Sequence, residues 1–305
     1  MSIDTTSTTG SATEAMVTLG RRSGKRPVAT TRGGRTGNHT IAHVVLALAS
    51  LLMIFPFLWQ VKLSLSTEAE IMAIPPNFWP SSAEWQNYAE VFQRLPFLSQ
   101  FWVSVGVTAL RTLGQVLLCS MAGYAFARMQ FRFKGVLLAL ILSILMVPAQ
   151  VYLIPQYQII QGFGLLDTVL GIALPGLFSA FGTFLMVQFF RTMPAELEQA
   201  ARLDGCNSWQ IFWRVMLPLA KPGLVSLAII TILASWNDLL WPLVVASTPE
   251  SMPLSVGLAT LQGYRASIHT GVLMAASLLA MAPVLISFII LQRRVVEGIA
   301  FSGLK

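Results

Sequence analysis

From about residue 41 onward the chain alternates long apolar stretches with shorter polar connections. A membrane-spanning helix needs about 20 mainly apolar residues. Six stretches reach that length: Ile41–Val61, Gln100–Phe126, Val136–Gln158, Asp167–Phe190, Gly223–Ala246 and Thr270–Leu291. None shows the period-two alternation of a barrel strand. The pattern therefore predicts an all-α polytopic membrane protein of six transmembrane helices, with residues 41–305 as one transmembrane domain. Residues 1–40 carry no periodic apolar face; rich in Ser, Thr, Gly and Arg, they read as a disordered basic tail able to touch anionic lipid. The first apolar run starts only after that tail and ends in Phe-Pro-Phe-Leu-Trp-Gln, so it reads as a retained helix and not a cleaved leader.

Composition supports this picture. Of 305 residues, 55% are hydrophobic and 11% charged, and the mean hydropathy is +0.68. A soluble domain carries about 25% charged residues, so a water-facing globule of this size is disfavoured. The net charge of +7 does not point to nucleic acid, because its distribution has a membrane explanation. With the amino terminus inside, sixteen of the 20 Lys and Arg fall on inner segments. Only Lys62, Arg94 and Arg265 fall outside, and Arg111 lies within a span. That bias fixes both termini in the cytoplasm. Two cysteines and three scattered histidines offer no metal-ligand spacing.

The outer segment 62–99 is too short for a receptor domain. A surface helix over Ser82–Gln93 is predicted, with Ser82 as its cap and Trp85, Tyr88, Ala89 and Phe92 at helical spacing. The largest inner connection, 191–222, is more informative. Pro194 stands where a helix can start, with Glu196 and Glu198 in the first turn. Asp204-Gly205 marks a turn, and Asn207 or Ser208 can cap a second helix. In that helix Trp209, Phe212, Trp213 and Met216 recur at i, i+3, i+4 and i+7, with Pro218 and Pro222 ending it. Such a face either lies on lipid or docks in a groove of a cytoplasmic partner. Periodicity does not separate the two.

The segment resembles the EAA loop of permeases of binding-protein-dependent ABC importers. Gln199-Ala200-Ala201, Gly205 and Met216-Leu217-Pro218 carry the motif, and ELEQAARLDG resembles the maltose-type carbohydrate branch, second permease. Gly123-Tyr124-Ala125-Phe126-Ala127-Arg128 resembles the family's Ala-Tyr-Ala-x-x-Arg. Trp236-Asn237-Asp238-x-x-Trp241-Pro242 resembles its W-N-D-x-x-W-P run. Gln292-Arg293-x-x-x-x-Gly298, with Gly303 and Lys305 in the 292–305 tail, resembles its ending. One departure stands out: the motif's glutamate, which in the family pairs with a basic residue of the ATPase, is Gln199 here. A glutamine still hydrogen-bonds but without charge assistance; Glu198 is the neighbouring acid that can compensate.

The resemblance implies an importer permease in the cell (inner) membrane. It implies a homologous second permease, two ABC ATPase subunits holding ATP and Mg, and an external solute-binding protein. ATPase-coupling roles then fall to Glu196, Glu198, Gln199, Ala200, Ala201, Asp204, Gly205, Trp209, Phe212, Leu217 and Pro218. No cofactor is expected on this chain, and no phosphate-cradling G-x-x-x-x-G-K-[ST] loop is present. No carboxylate pair or nucleophile–base set points to an enzyme.

Candidate pathway residues lie inside the spans. Asp238 stands about 15 residues, or ~22 Å, into the fifth helix. With Trp236, Asn237 and Trp241 it has the polar–aromatic composition that suits a sugar, or else supplies an interhelical hydrogen bond. Arg111 either snorkels, faces a subunit interface or contacts an anionic solute. Gln150, Tyr152 and Gln156 follow Pro148, with Pro155 nearby, as in a kinked polar helix. Ala275, Ala276, Ala280 and Ala282 read as close helix packing. The expected solute is a carbohydrate or polyol; a glycerophosphate or other anion is the alternative. A proton-coupled secondary transporter is the rival from another class.

Overall fold

The computed structural model of the chain describes residues 39–263 and 269–300. The tail 1–38, Arg265, Gly303 and Lys305 lie outside the described residues, and for residues 291–300 the helical backbone alone is described. The chain divides into two compact units, 1–53 and 54–305. The described part of the first is a stretch of apolar helix whose side chains are exposed over 42–53.

The second unit is built of helices; among the described residues there is no strand. The order begins with α1 (His39–Ser64), shared between the units, then α2 (Glu68–Ile71), α3 (Gln86–Arg94) and α4 (Phe97–Arg128). There follow α5 (Lys134–Ser143), α6 (Ala149–Gly162), α7 (Val169–Ala173), α8 (Ala180–Arg191), α9 (Glu196–Leu203) and α10 (Ser208–Ile211). A π-helical turn over Phe212–Met216 leads into α11 (Leu217–Leu219), α12 (Lys221–Trp236), α13 (Leu240–Val245), α14 (Leu254–Gly263) and α15 (Thr270–Ala300).

Among the described residues, three helices are long and apolar enough to cross a bilayer, within α1, α4 and α15, and counting each of three bent pairs as one span brings the number to six. Crossings three to five are each bent, the third as its prolines led one to expect. The third turns by 104° between Lys134–Met146 and Ala149–Gly162. Pro148 forces Val147 into extended backbone (φ −93°, ψ 121°), because the proline ring disfavours helix in the residue before it. Pro155 sits inside α6 without ending it. The fourth bends by 47° around Leu177–Ser179, where Ser179 caps α8 through the Gly182 amide (3.1 Å). The fifth does not run to Ala246: α12 ends at Trp236 and the chain restarts as α13. The last helix runs past Leu291 to Ala300.

Helix α4 is the spine, packed on α7, α8, α12 and α14. Its approach to α8 depends on Gly123, where a Cβ would lie 2.5 Å from Met186 Cβ. One core joins Cys119, Tyr124, Met186, Phe190 and Leu227 to Ala201, Ile211, Phe212 and Met216 of the inner connection. A second, outer core packs Val91, Leu95 and Phe97 on Val272, Ala275, Ala276 and Ala280, where small side chains let α15 come close.

The outer helix is shorter than expected. Ser82 does not cap it; Trp85 occupies that position without a side-chain hydrogen bond. Its inward face is Asn87 and Val91, while Trp85 and Phe92 are exposed. The Asn87 amide donates to the carbonyls of Ser64 (3.0 Å) and Ser66 (3.1 Å), and those two bonds turn the polar residue inward. Ahead of it, Glu70 accepts from the hydroxyl and amide of Ser81 and the amide of Thr67. These bonds hold its carboxyl down to about 2.

Candidate functional site

Two groups of predicted residues come together, one at the inner end of α4 and one within the spans.

At the inner end, α9 and α10 form a helix pair around a turn at Gly205, whose φ of +84° suits a residue without a Cβ. Asn207 caps α10 in a reciprocal box with Gln210, each bond 2.9 Å. Ala201, Ile211, Phe212 and Met216 are buried against α4 and α8. The expected single face of Trp209, Phe212, Trp213 and Met216 is split. The π turn holds one residue more than an α turn and shifts the register, so Phe212 and Met216 go inward while Trp209 and Trp213 stay exposed. Leu217 packs partly against the same core. Pro218 does not end the helix: it stands in the first turn of α11, and the 75° bend comes at Ala220.

The outer face of the pair carries Glu196, Gln199, Ala200, Asp204 and Trp209, all exposed, with Leu203 90% exposed. Glu198 points the other way. It is buried, and its Oε1 lies 3.3 Å from Nε of Arg128 at the end of α4. Glu198 is thus committed inside the chain and does not replace the charge missing at Gln199, which corrects that expectation. The Arg128–Glu198 contact is one of charge without an aligned hydrogen bond, since neither atom has a bonded partner. Arg128 also donates to the Met193 carbonyl. Tyr124 packs between Phe190, edge to face at 5.7 Å, and Phe212, tilted at 5.4 Å. So the Gly123–Arg128 motif and the inner loop, quoted separately from sequence, meet in space. An apolar groove of about 360 Å³ opens between Met121, Tyr124, Met129, Trp209 and Phe212.

Within the spans, Arg111 of α4 neither snorkels nor stands free. Its guanidinium donates to Asp238 Oδ2 (2.7 Å) and to the Ile172 carbonyl (2.8 Å). The pair is mostly buried, with side-chain exposures of 9% and 24%. Asp238 sits in the break between α12 and α13, where its own carbonyl accepts from the Ser255 hydroxyl at 2.6 Å. Trp241 donates its indole N–H to the same Ile172 carbonyl (3.2 Å). Arg111, Tyr152, Gln156, Gly176, Asp238 and Trp241 line a cavity of about 270 Å³.

The four residues expected to act as one composite are divided. Trp236 and Asn237 line a different cavity, of about 290 Å³, with Gln60, Ser255 and Ser277. There Trp236 donates to the Ala280 carbonyl (3.1 Å) and Asn237 to the Leu233 carbonyl (2.8 Å). Gln150 is exposed and does not line the cavity that holds Tyr152. Sequence reasoning missed Arg128 as the partner of Glu198, and Asp238 as the partner of Arg111. An unneutralised arginine in a span was the one available sign that an acid must be near it.

The family described as the binding-protein-dependent transport system inner membrane component matches residues 115–300. The arabinooligosaccharides transport system permease protein AraQ of Halalkalibacterium halodurans is 32% identical over 266 residues, which is 85% of this chain and 94% of that protein. The lactose transport system permease protein LacG of Rhizobium radiobacter is 32% identical, covering 85% and 93%. The sn-glycerol-3-phosphate transport system permease protein UgpE of Yersinia enterocolitica is 30% identical, covering 88% and 98%. Among solved structures, a chain of a bacterial ABC transporter involved in the import of the acidic polysaccharide alginate has the same fold. Its TM-score is 0.72 at 24% identity, over 86% of this chain and 98% of that one.

Proposed function

The chain belongs to the family of inner-membrane components of binding-protein-dependent transport systems, and from that premise we propose that it is one permease subunit of an ATP-driven importer for a carbohydrate-type solute. It is a multi-pass protein of the cell membrane. Family membership implies a transport complex with a partner permease, ATPase and solute-binding protein. In our reading two ATPase subunits hold ATP and Mg, and this chain hydrolyses nothing. The tail 1–40 and the segment 292–305 are cytoplasmic, 62–99 is external, and 191–222 is the coupling loop.

One observation carries the coupling role. The α9–α10 pair buries Ala201, Ile211, Phe212 and Met216 in the core of α4 and α8 and leaves Glu196, Gln199, Ala200, Leu203 and Trp209 exposed. A pair rooted in the spans by one face and free on the other can pass a push from a docked ATPase to α4. Solute passage belongs to the cavity with Arg111, Tyr152, Asp238 and Trp241, with Asn237 and Trp236 in the adjoining one. The named solutes of the relatives, arabino-oligosaccharides, lactose and sn-glycerol-3-phosphate, support a polyhydroxylated cargo. The last keeps an anionic solute as the second reading. Proton-coupled transport has no support in these relatives.

The test is uptake of those three solutes and ATP hydrolysis by the complex in proteoliposomes, wild type against Gly205→Pro. Proline fixes φ near −65° and cannot adopt the turn. Hydrolysis-driven uptake lost in the variant is the expected result. Undiminished uptake and docking would remove the loop assignment, and uptake by the isolated chain without an ATPase would remove the importer reading.

A further inference from the structure

We infer that Asp238 silences Arg111 and thereby makes the α4–α6–α13 cavity selective for neutral polyhydroxylated solutes over anionic ones. This deepens, and rests on, the carbohydrate reading above. Arg111 and Asp238 are the two charged side chains among the residues lining the cavity. Their 2.7 Å contact makes the wall neutral overall. Arg111 is also clamped. Its Nη2 donates to the Ile172 carbonyl, and the backbone of Gly176 passes so close that a Cβ there would lie 2.6 Å from Arg111 Nε, which is itself buried without a hydrogen-bond partner. The guanidinium cannot swing out to a solute while these contacts stand.

An anion entering the cavity therefore meets the repulsion of Asp238 as well as the attraction of Arg111, and loses its hydration without a free countercharge. A neutral polyol has no such penalty. It finds a phenol at Tyr152, an amide at Gln156 and the partly exposed carboxylate of Asp238, hydrogen-bonding groups that suit sugar hydroxyls. Removing the charge of Asp238 alone should turn Arg111 into an anion site.

The experiment measures equilibrium binding of D-glucuronate and D-glucose to the full chain in lipid nanodiscs, at low and high ionic strength. The probes differ in one carboxylate, and no ATPase or transport is needed, so failure of the importer reading would show separately in uptake. The wild type is expected to show no ionic-strength-dependent preference for glucuronate. Asp238→Asn keeps the side-chain shape and an acceptor oxygen for Arg111. It should bind glucuronate at least tenfold more tightly than the wild type at low salt, with glucose unchanged, and the gain should vanish in Arg111→Gln/Asp238→Asn. A wild type that already prefers glucuronate, a folded D238N with no gain, or a gain that survives loss of Arg111 each overturns the assignment. Should D238N fail to give monodisperse protein, Arg111→Gln decides. Glucose bound more tightly than glucuronate in the wild type, with glucuronate weaker still in R111Q, upholds the inference; parity of the two in the wild type, or no further loss in R111Q, overturns it.

Discussion

Helix α4 carries two arginines that each meet an acid far away in sequence, on different terms. Arg111 and Asp238 make an aligned bond of 2.7 Å, buttressed by the Ile172 carbonyl. Arg128 and Glu198 stand 3.3 Å apart with neither contacting atom hydrogen-bonded. The first pair lies in a span, where water cannot stabilise an unmatched charge and alignment is required. The second lies at the inner end of α4, where the Met193 carbonyl shares Arg128. A rigid pair suits a wall, and a loosely aligned one suits a joint. The same residue types on the same helix are thus held in different ways.

The sharpest way to break this comparison is to remove one member of each pair. Arg111→Ala or Asp238→Ala should destabilise the protein by about 3 kcal/mol or more, the usual penalty for stranding one buried charge. Thermal unfolding in detergent measures it, and the double variant should lose less than the sum of the two. A loss below about 1 kcal/mol would make the pair behave as an exposed one.

At the inner joint, Glu198→Gln should destabilise by about 1–3 kcal/mol. Its larger signature is expected in coupling: more ATP hydrolysed per solute moved, with partial rescue by the exchanged pair R128E/E198R. Equal coupling in E198Q and wild type would leave Glu198 a packing residue only. Gly205→Ala, forced to hold φ at +84°, should cost about 1–2 kcal/mol. Hydrogen exchange should place the loosening in residues 196–216 and leave the Arg111 wall unaffected.

The smallest effect belongs to the outer segment, which neither pair touches. Glu70 is held at about 2 against an ordinary 4.5, so its folded state prefers the ionised form. Its stabilising bonds are complete above about pH 4.5 and are lost as pH falls toward 2. Protection of the Thr67–Ser81 amides should decline over that window in the wild type. In Glu70→Gln the decline should be absent.

The six crossings were legible because a bilayer demands about 20 apolar residues whatever the neighbours are. The turn at Gly205 and the Asn207 cap were legible because they depend on local chemistry. Side-chain direction was less legible. Trp209 and Trp213 were placed with Phe212 and Met216 on an ideal α period, and one π turn separated them. Trp236-Asn237-Asp238-x-x-Trp241 was read as one composite, yet the break after Trp236 sends its members to two cavities.

The sequence alone determined that this chain lives in a membrane and which permease family it resembles. Those properties follow from transfer energies and charge counts along a line. Only the tertiary structure decided which partner each charged residue meets. Arg111 became half of a neutral wall, and Glu198 became an internal tether and not a replacement for Gln199. Coulomb interactions and hydrogen bonds act through a few ångströms of space, and 127 and 70 positions of chain separate the partners they joined.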